Sequence, residues 1–436
     1  MIGTGVFSSL FFQVGGLPSG SAILILWLCG GLVALCGALC YAELAGLFPR
    51  SGGEYEYLSK IYHPALGFAA GICSLIVGFA APMAGAALNL GNYFAPVLGV
   101  AKDAPECKYI ALAGVALVTG IQLLGVRAGG IFQNIATILK IALILLFITL
   151  PFILPEAPVS TVSFDWDENT WGLITSGAFF SSLAMLYYAY SGWNASIYIA
   201  SNLENPKKNL PLSILLGTVS VTILYLALNF VFLYVCNLDE ISAGGPSLGN
   251  TVAAKLFGTN VIGSFKIVDI FSVLFSIALI ATLNSGMITS PRVAETLGED
   301  YPIFQVFTKE LPNGSPYIAV ITMGVLTSIF TVFSSIKSIL DFVGFSLAIF
   351  GSLVVIGLLI MRFRTPNADR PFKTWGYPIT PIVFLVINGA MMYYTIQFMH
   401  EGSAMPLFAS IYIILLGVGL HPWVQLLQTK YNKNSQ

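Results

Sequence analysis

The most informative feature of this sequence is its shortage of charge. Asp, Glu, Lys and Arg make up 9% of the 436 residues, whereas a soluble globular chain averages roughly 25%. The sequence contains three histidines and six cysteines, and no His/Cys cluster or CxxC pair has the spacing of a metal site. The net charge is -1, and no basic cluster suggests a nucleic-acid partner. We therefore expect no large soluble domain, no nucleic-acid partner, no metal and no cofactor.

Long apolar runs take the place of the missing charge. Hydrophobic residues make up 56% of the chain, and most of the runs reach the ~20 residues that cross a ~30 Å hydrocarbon layer. Together with an incomplete run at the start, they predict an all-α polytopic membrane protein of twelve segments in a lipid bilayer. Segments two to twelve are residues 21–48, 66–93, 109–126, 131–154, 171–200, 212–236, 261–290, 317–333, 339–361, 381–399 and 407–427.

The lysines and arginines indicate the orientation, because cytoplasmic loops carry an excess of them. If the first segment exits outward, thirteen lie in inward loops and the tail and four in outward loops. The inward set is Arg50, Lys60, Arg127, Lys207, Lys208, Arg292, Lys309, Arg362, Arg364, Arg370, Lys373, Lys430 and Lys433. The outward set is Lys102, Lys108, Lys255 and Lys337. We predict a multi-pass plasma-membrane protein, with Glu43 solvated or paired at a cytoplasmic helix end.

Two glycine-containing stretches interrupt the apolar pattern. The first break is residues 2–6 (Ile-Gly-Thr-Gly-Val), and the second break is residues 188–194 (Tyr-Ala-Tyr-Ser-Gly-Trp-Asn), within segment six. Irregular backbone at membrane depth survives only where it lines a cavity or is buried in protein. Breaks in corresponding positions of two halves indicate a transporter binding site. The alternative is that these glycines only allow close helix packing.

The chemistry of such a pair of breaks favours one class of ligand. Amides at the helix start after Gly3, Thr4 and Gly5 would donate hydrogen bonds to an anion, helped by the helix dipole. Carbonyl groups released from helical bonding in the second break would accept hydrogen bonds from a cation. A site with both suits a zwitterionic α-amino acid and requires no buried charged side chain.

The motifs resemble those of the amino acid–polyamine–organocation (APC) superfamily of permeases along essentially the whole chain. Residues 2–7 (Ile-Gly-Thr-Gly-Val-Phe) are similar to its first-helix signature, and residues 48–55 to the loop after its second helix. Residues 191–194 with 205–211 resemble its sixth helix and the exit from that helix. Further matches are residues 41–45, 125–127, 133–134, 139–140, 284–286, 289–293 and 371–381.

The resemblance implies a twelve-helix APC/LeuT-type fold with a five-plus-five inverted repeat and broken helices one and six. The first repeat would be residues 1–154 and the second residues 171–361, with the last two helices in residues 378–427, all in a single transporter domain. Relatives have an inner half-helix before the first break, whereas this sequence starts at Met1. We therefore expect the N-terminal half of helix one to be missing.

The resemblance also assigns roles to residues of the two breaks. The substrate carboxylate would be bound by Gly3, Thr4 and Gly5. The substrate amine would be bound, and the site gated, by Ile2, Tyr188, Ala189 and Ser191. The Tyr188 ring matches an aromatic that closes the site in relatives, and the alternative is a packing role only.

Lys140 is a candidate coupling residue. It lies nine residues into segment five, so about 14 Å along the helix. A charged lysine near the bilayer centre costs roughly 2.5–3.5 kcal/mol, so its side chain should face the bundle interior. In several relatives a lysine at the matching position occupies the place of a sodium ion. We expect Lys140 to exchange a proton, the possible coupling ion, and to contact helix one and helix eight near Asn284 and Ser285. The alternative is a permanent structural cation.

The sequence therefore predicts alternating-access transport of an α-amino acid, neutral or broad in range, with possible proton coupling. The alternatives are an amino acid exchanger and a non-transporting amino acid sensor on the same fold. A channel would need a continuous polar pore, and an enzyme would need a nucleophile, base or metal constellation; the sequence shows neither pattern. It identifies neither the amino acid nor a partner subunit.

Overall fold

The computed structural model of this chain describes residues 2–101, 104–155, 157–202, 204–245, 247–258, 260–262, 265–397 and 405–434. The first helices are α1 (Thr4–Gln13), α2 (Gly20–Leu47), α3 (Glu54–Ile61), α4 (Pro64–Cys73), α5 (Ala81–Phe94), α6 (Glu106–Leu123), α7 (Val126–Ile153), α8 (Glu168–Ile174) and α9 (Gly177–Ala189). The others are α10 (Pro206–Val235), α11 (Leu238–Gly244), α12 (Leu248–Phe257), α13 (Ile267–Asp300), α14 (Tyr317–Phe333), α15 (Ile336–Arg364), α16 (Ile379–Gln397) and α17 (Met405–Asn434).

Short irregular elements connect these helices. A π-helical turn, Ser74–Ala80, joins α4 to α5. Turns of 3-10 helix occupy Ala95–Leu98, Ala195–Asn202 and Pro302–Thr308. Strands β1 (Val261–Ile262) and β2 (Phe265–Lys266) pair antiparallel before α13.

The helices account for the twelve predicted segments. In the described residues, nine helical stretches are long and apolar enough to span a membrane, with α4, its π-turn and α5 counted as one. The pair α8 and α9, bent by 56°, supplies a tenth. The shorter helix α14 and the ten-residue α1 correspond to segments nine and one. The polytopic helical fold is confirmed, although Lys102 and the end of segment eleven lie outside the described residues.

Both predicted breaks coincide with helix ends. Helix α1 begins at Thr4, directly after Gly3 in an extended conformation (φ −149°). Helix α9 ends at Ala189, and the chain turns at Gly192, whose φ of 85° favours glycine. The 56° bend between α8 and α9 was not predicted. It lies at the break that contains Ser176, which caps α9 by accepting from the Phe179 amide.

The packing of the bundle brings the two breaks together. Helix α2 lies along α10, α13 packs against α5 and α7, and α9 contacts α15, α16 and α1. A Cβ atom on Gly5 would lie 2.3 Å from the Ala189 Cα, so only glycine allows α1 and α9 to approach this closely. The start of α1 therefore faces the end of α9 at the centre of the bundle.

Glu43 is paired at the end of α2 rather than solvated. Its side chain is 0% exposed and forms ion pairs with Arg362 at 2.7 Å and Arg370 at 2.9 Å. The Glu43 carboxylate also accepts hydrogen bonds from the Thr374 amide and hydroxyl, both at 2.8 Å. This cluster joins α2 to α15 and to the loop that follows α15.

Candidate functional site

A cavity of about 500 Å³, called the central cavity below, lies between the two breaks. It is bounded by the start of α1, the π-turn and α5, and by parts of α7, α10 and α13, with the chain after α9 closing one wall. Eight residues predicted from the sequence line it: Ile2, Gly3, Gly5, Lys140, Tyr188, Ala189, Ser191 and Ser285. The Thr4 backbone starts α1, and its side chain lies outside the described residues.

The donor side of the site is the N-terminus of α1. The first amides of a helix have no acceptor within that helix and, with the helix dipole, favour an anion. Gly3 and Gly5 both line the cavity, so this end of α1 is directed at the space where a ligand would lie. The Gly3 amide donates to the hydroxyl of Tyr225.

The acceptor side is the C-terminal end of α9. The Tyr188 carbonyl accepts a hydrogen bond from the Ser191 amide at 2.9 Å. The Ala189 carbonyl accepts from the Tyr225 hydroxyl at 3.1 Å. Each carbonyl oxygen has two lone pairs, so both can also accept a bond from a substrate ammonium. Two of the predicted acceptors, the carbonyl groups of Tyr188 and Ala189, are thus partly engaged within the protein.

Tyr225 is a site residue that the sequence analysis missed. It lies on α10, is 1% exposed, and joins the Gly3 amide to the Ala189 carbonyl through one hydroxyl group. Its hydroxyl therefore contacts both breaks, accepting from one and donating to the other. A buried tyrosine generally finds a hydrogen-bond partner, but the sequence did not show which side of segment seven faces the breaks.

Lys140 ties α7 to α13 and to the residues directly before α1. Its side chain is 6% exposed, and Nζ donates to the Ile2 carbonyl at 2.8 Å and to Thr282 Oγ1 at 2.9 Å. The predicted contact with the start of the first helix is therefore present. On α13 the partner is Thr282, one turn away from Ser285.

Asn284 does not contact Lys140, contrary to the expected coupling cluster. Its amide accepts from Gln122 at 2.6 Å and donates to Gln133 Oε1 at 2.9 Å and to the Gly129 carbonyl at 3.2 Å. These bonds fasten α13 to α6 and to the part of α7 that precedes Lys140. The geometry gives Asn284 a helix-packing role.

The central cavity carries little charge. Among its lining residues in the described part of the chain, Lys140 has the only charged side chain, and none is a carboxylate. The Lys140 ammonium is already directed at two oxygen atoms of the protein. The remaining polar lining consists of hydroxyl and amide groups, including those of Gln133, Thr137 and Thr289.

A comparison with known families decides the identity of the fold. The profile of the family described as "Amino acid permease" matches residues 1–419. The chain belongs to the amino acid permease family. This membership confirms the resemblance to APC permeases, the integral multi-pass membrane fold and the predicted class of function, amino acid transport.

Individual relatives of this permease are transporters by name. The b(0,+)-type amino acid transporter 1 of Mus musculus is 29% identical over 394 residues, which cover 89% of this chain and 78% of the relative. The serine/threonine exchanger SteT of Bacillus subtilis is 26% identical over 390 residues, covering 88% and 86%. The cystine/glutamate transporter of Homo sapiens is 27% identical over 379 residues, covering 86% and 73%.

Proposed function

We propose that this permease moves neutral α-amino acids by alternating access, with the zwitterion held by backbone groups at the two breaks. The observation that supports the proposal is the central cavity, which joins helix-start amides on one side to helix-end carbonyls on the other. A substrate carboxylate would accept from the amides after Gly3. The substrate ammonium would donate hydrogen bonds to the carbonyl groups of Tyr188, Ala189 and Ser191.

The neutral class follows from the charges of the cavity. A cationic side chain would enter a space whose described lining residues include Lys140 and no carboxylate. An anionic side chain would have only the Lys140 ammonium, which already donates to the Ile2 carbonyl and Thr282. Burying an unpaired charge costs far more than burying a neutral side chain. We expect neutral side chains to be preferred over both charged classes.

Lys140 supplies the proposed coupling. Its ammonium connects α7 to the start of α1 and to α13, the elements that bound the cavity. Loss of its proton would weaken this connection, and a proton shifts a conformational equilibrium only through its different affinity for the two states. The second candidate is obligatory exchange, which the name of one relative, a serine/threonine exchanger, supports.

Uptake into proteoliposomes containing the full chain tests the proposal. Competition by all proteinogenic amino acids should rank neutral side chains first, and equal competition by lysine, arginine or glutamate would contradict the neutral class. Amino acid methyl esters and des-amino analogues should not compete, because each lacks one half of the zwitterion. Full competition by the methyl esters would rule out recognition of the carboxylate by the α1 amides.

The same vesicles separate the two coupling modes. A pH gradient should drive uptake into empty vesicles if Lys140 couples transport to protons. Exchange would be established instead if uptake occurred only into vesicles preloaded with amino acid and did not respond to the pH gradient.

A further inference from the structure

Glu54 is a buried carboxyl group that the proposed transport mechanism does not use. It is the first residue of α3, and the residue is 5% exposed. Its Oε1 accepts from the Tyr41 hydroxyl at 3.1 Å and from Asn194 Nδ2 at 2.7 Å. Its Oε2 accepts from the Tyr198 hydroxyl. Three donors, one from α2, one from the second break and one from the 3-10 turn after it, therefore converge on one carboxyl group.

Within the described part of the chain, this carboxyl group has no ion-pair partner. Among the described residues, no lysine, arginine or histidine forms an ion pair with Glu54, whereas Glu56 pairs with Arg50 at 3.1 Å. The titratable groups that Glu54 influences from the surrounding elements are Tyr41, Tyr57, Cys73, Tyr187 and Tyr198. Burial raises the pKa of Glu54 above its usual range, although the hydrogen bonds from Tyr198, Tyr41 and Asn194 oppose the rise.

Two aromatic contacts connect Glu54 to the central cavity. The Tyr41 ring packs edge-on against Trp193 with centroids 4.6 Å apart. The Tyr198 ring packs in the same way against Phe79 at 5.0 Å. Trp193 and Phe79 both line the cavity. One tyrosine ring therefore lies between the Glu54 carboxyl group and each of these two aromatic residues of the cavity.

We propose that Glu54 is a proton-binding site that controls how firmly residues 194–198, the last residue of the second break and the start of the turn after it, are held against α2 and α3. Through Asn194 and Tyr198 the carboxyl group holds this stretch, and through Tyr41 it holds α2. The inference is independent of the substrate class and of Lys140, because it concerns a different group on the other side of the second break.

The direction of the effect follows from linkage. A carboxyl group binds its proton more tightly when it is buried in the packed arrangement than when water reaches it. Protons therefore stabilise the packed arrangement, and raising the pH through the titration of Glu54 favours release of residues 194–198. Release would loosen the cavity wall formed by Trp193 and would expose Ser196, which lines the same wall.

Thiol labelling of a Ser196→Cys protein, with the native cysteines replaced, tests this directly. The full chain is reconstituted without substrate, and the rate of reaction with a soluble maleimide is measured against pH. Ionisation of the thiol itself raises the rate in every variant, so each profile is divided by that of a small-molecule thiol. After this correction, we expect the labelling rate still to rise with pH as Glu54 loses its proton. This increase is called the residual rise below.

Three variants decide the outcome. Glu54→Gln resembles the protonated carboxyl group, so the residual rise should disappear and the rate should stay at its low-pH value. Glu56→Gln, which removes a neighbouring acid paired with Arg50, should leave the residual rise unchanged. A Glu54→Gln protein that keeps the parent profile would overturn the proposal. Lys140→Ala changes the level of labelling if it shifts the conformational equilibrium, but the residual rise with pH should persist, so failure of the proposed coupling at Lys140 is distinguished from failure here.

Tyr198→Phe gives a second test that does not depend on the folding of Glu54→Gln. It removes one hydrogen bond that favours the charged carboxylate and keeps the ring that contacts Phe79. The midpoint of the residual rise should move up by about one pH unit, the size expected for a hydrogen bond to a charged group. A midpoint that stays in place or moves down would contradict a proton site at Glu54.

Discussion

The Tyr225 hydroxyl makes the same kinds of contact that a bound amino acid would make, accepting from an amide of α1 and donating to a carbonyl of α9. Tyr225→Phe leaves the buried Gly3 amide without this partner, and an unsatisfied buried group costs roughly 1–3 kcal/mol. We expect a lower melting temperature without substrate and a larger stabilisation by substrate than in the parent, because the substrate carboxylate supplies the missing acceptor. Thermal unfolding in detergent, with and without amino acid, measures both.

The control for this experiment is Tyr234→Phe. Tyr234 lies near the far end of the same helix and does not line the central cavity. Equal effects of the two substitutions would show that Tyr225 contributes only to general packing of α10.

Lys140 gives a prediction about coupling. Lys140→Ala removes the bonds to the Ile2 carbonyl and Thr282, while the amides and carbonyls that bind substrate stay in place. Competition by unlabelled substrate should be partly retained, and the pH dependence of uptake should be reduced. Lys140→Arg keeps a permanent charge, since guanidinium does not deprotonate in proteins, and should therefore lower net uptake more than it lowers substrate binding.

The outcome for Lys140→Arg separates the two roles considered for this residue. Normal net uptake with an unchanged pH profile would make Lys140 a structural cation. Binding is measured in parallel by substrate-dependent thermal stabilisation, so a loss of uptake caused by misfolding is recognised.

At the residue scale, the sequence could indicate which groups line the site but not every contact they make. Gly3, Gly5 and Ser191 were predicted because glycine and hydroxyl residues stand out inside apolar segments. Lys140 bonds Thr282 rather than Asn284 on the same helix, and Tyr225 was missed, because a helix that is apolar all round gives no sign of which face points inward. Only packing against α6, α7 and α10 resolves that.

At the element scale, the buried cluster around Glu43 makes a stability prediction. Removing one partner of a buried ion pair leaves an uncompensated charge and costs roughly 3–5 kcal/mol. Glu43→Gln leaves Arg362 and Arg370 facing a neutral group, so we expect a markedly lower melting temperature with unchanged substrate competition in the folded fraction. Thermal unfolding of the purified protein measures the first, and proteoliposome uptake the second.

The matched control is Glu56→Gln. Its partner Arg50 is 38% exposed and also pairs with Glu299 and Asp300, so little stability should be lost. A similar melting temperature for the two variants would mean that the Glu43 cluster does not fix α2 to α15.

Element prediction succeeded where length and apolar character were sufficient. A run of about 20 apolar residues must cross the bilayer as a helix, so the segments followed directly from hydropathy. The bend before α9 was missed because residues 171–200 read as one apolar run, although the Ser176 cap interrupts it. Helix α3, which carries Glu54, was also missed. It has only eight residues, too few to form an apolar run that hydropathy would detect.

At the scale of the whole molecule, the ordered motifs were enough to predict the family, which the profile match confirms. The division into repeats at residues 1–154 and 171–361 stays a prediction. It is supported by the position of the two breaks, which open α1 and close α9 on opposite walls of one cavity. Single motifs were weak, and only their order along the chain made them specific.

The orientation of the molecule is the last prediction. Helix α10 has 30 residues, so it is about 45 Å long and its two ends lie on opposite sides of a ~30 Å hydrocarbon layer. Lys208 is in its first turn, and the Ser160 amide donates to the Tyr234 carbonyl near its other end at 2.7 Å. The loop that contains Ser160 therefore lies across the membrane from Lys208, and the excess of inward Lys and Arg places Lys208 in the cytoplasm.

Single-cysteine labelling in intact cells tests this arrangement, with the native cysteines replaced. Asp167 caps α8 by accepting from the Thr170 amide at 2.7 Å, so the exposed neighbour Asn169 is the better outward position. A membrane-impermeant maleimide should label Asn169→Cys in intact cells and Lys208→Cys only after permeabilisation. Because the two positions lie on opposite sides, the reverse pattern would invert the topology, and it would put Glu54 and its proton on the outer side of the membrane.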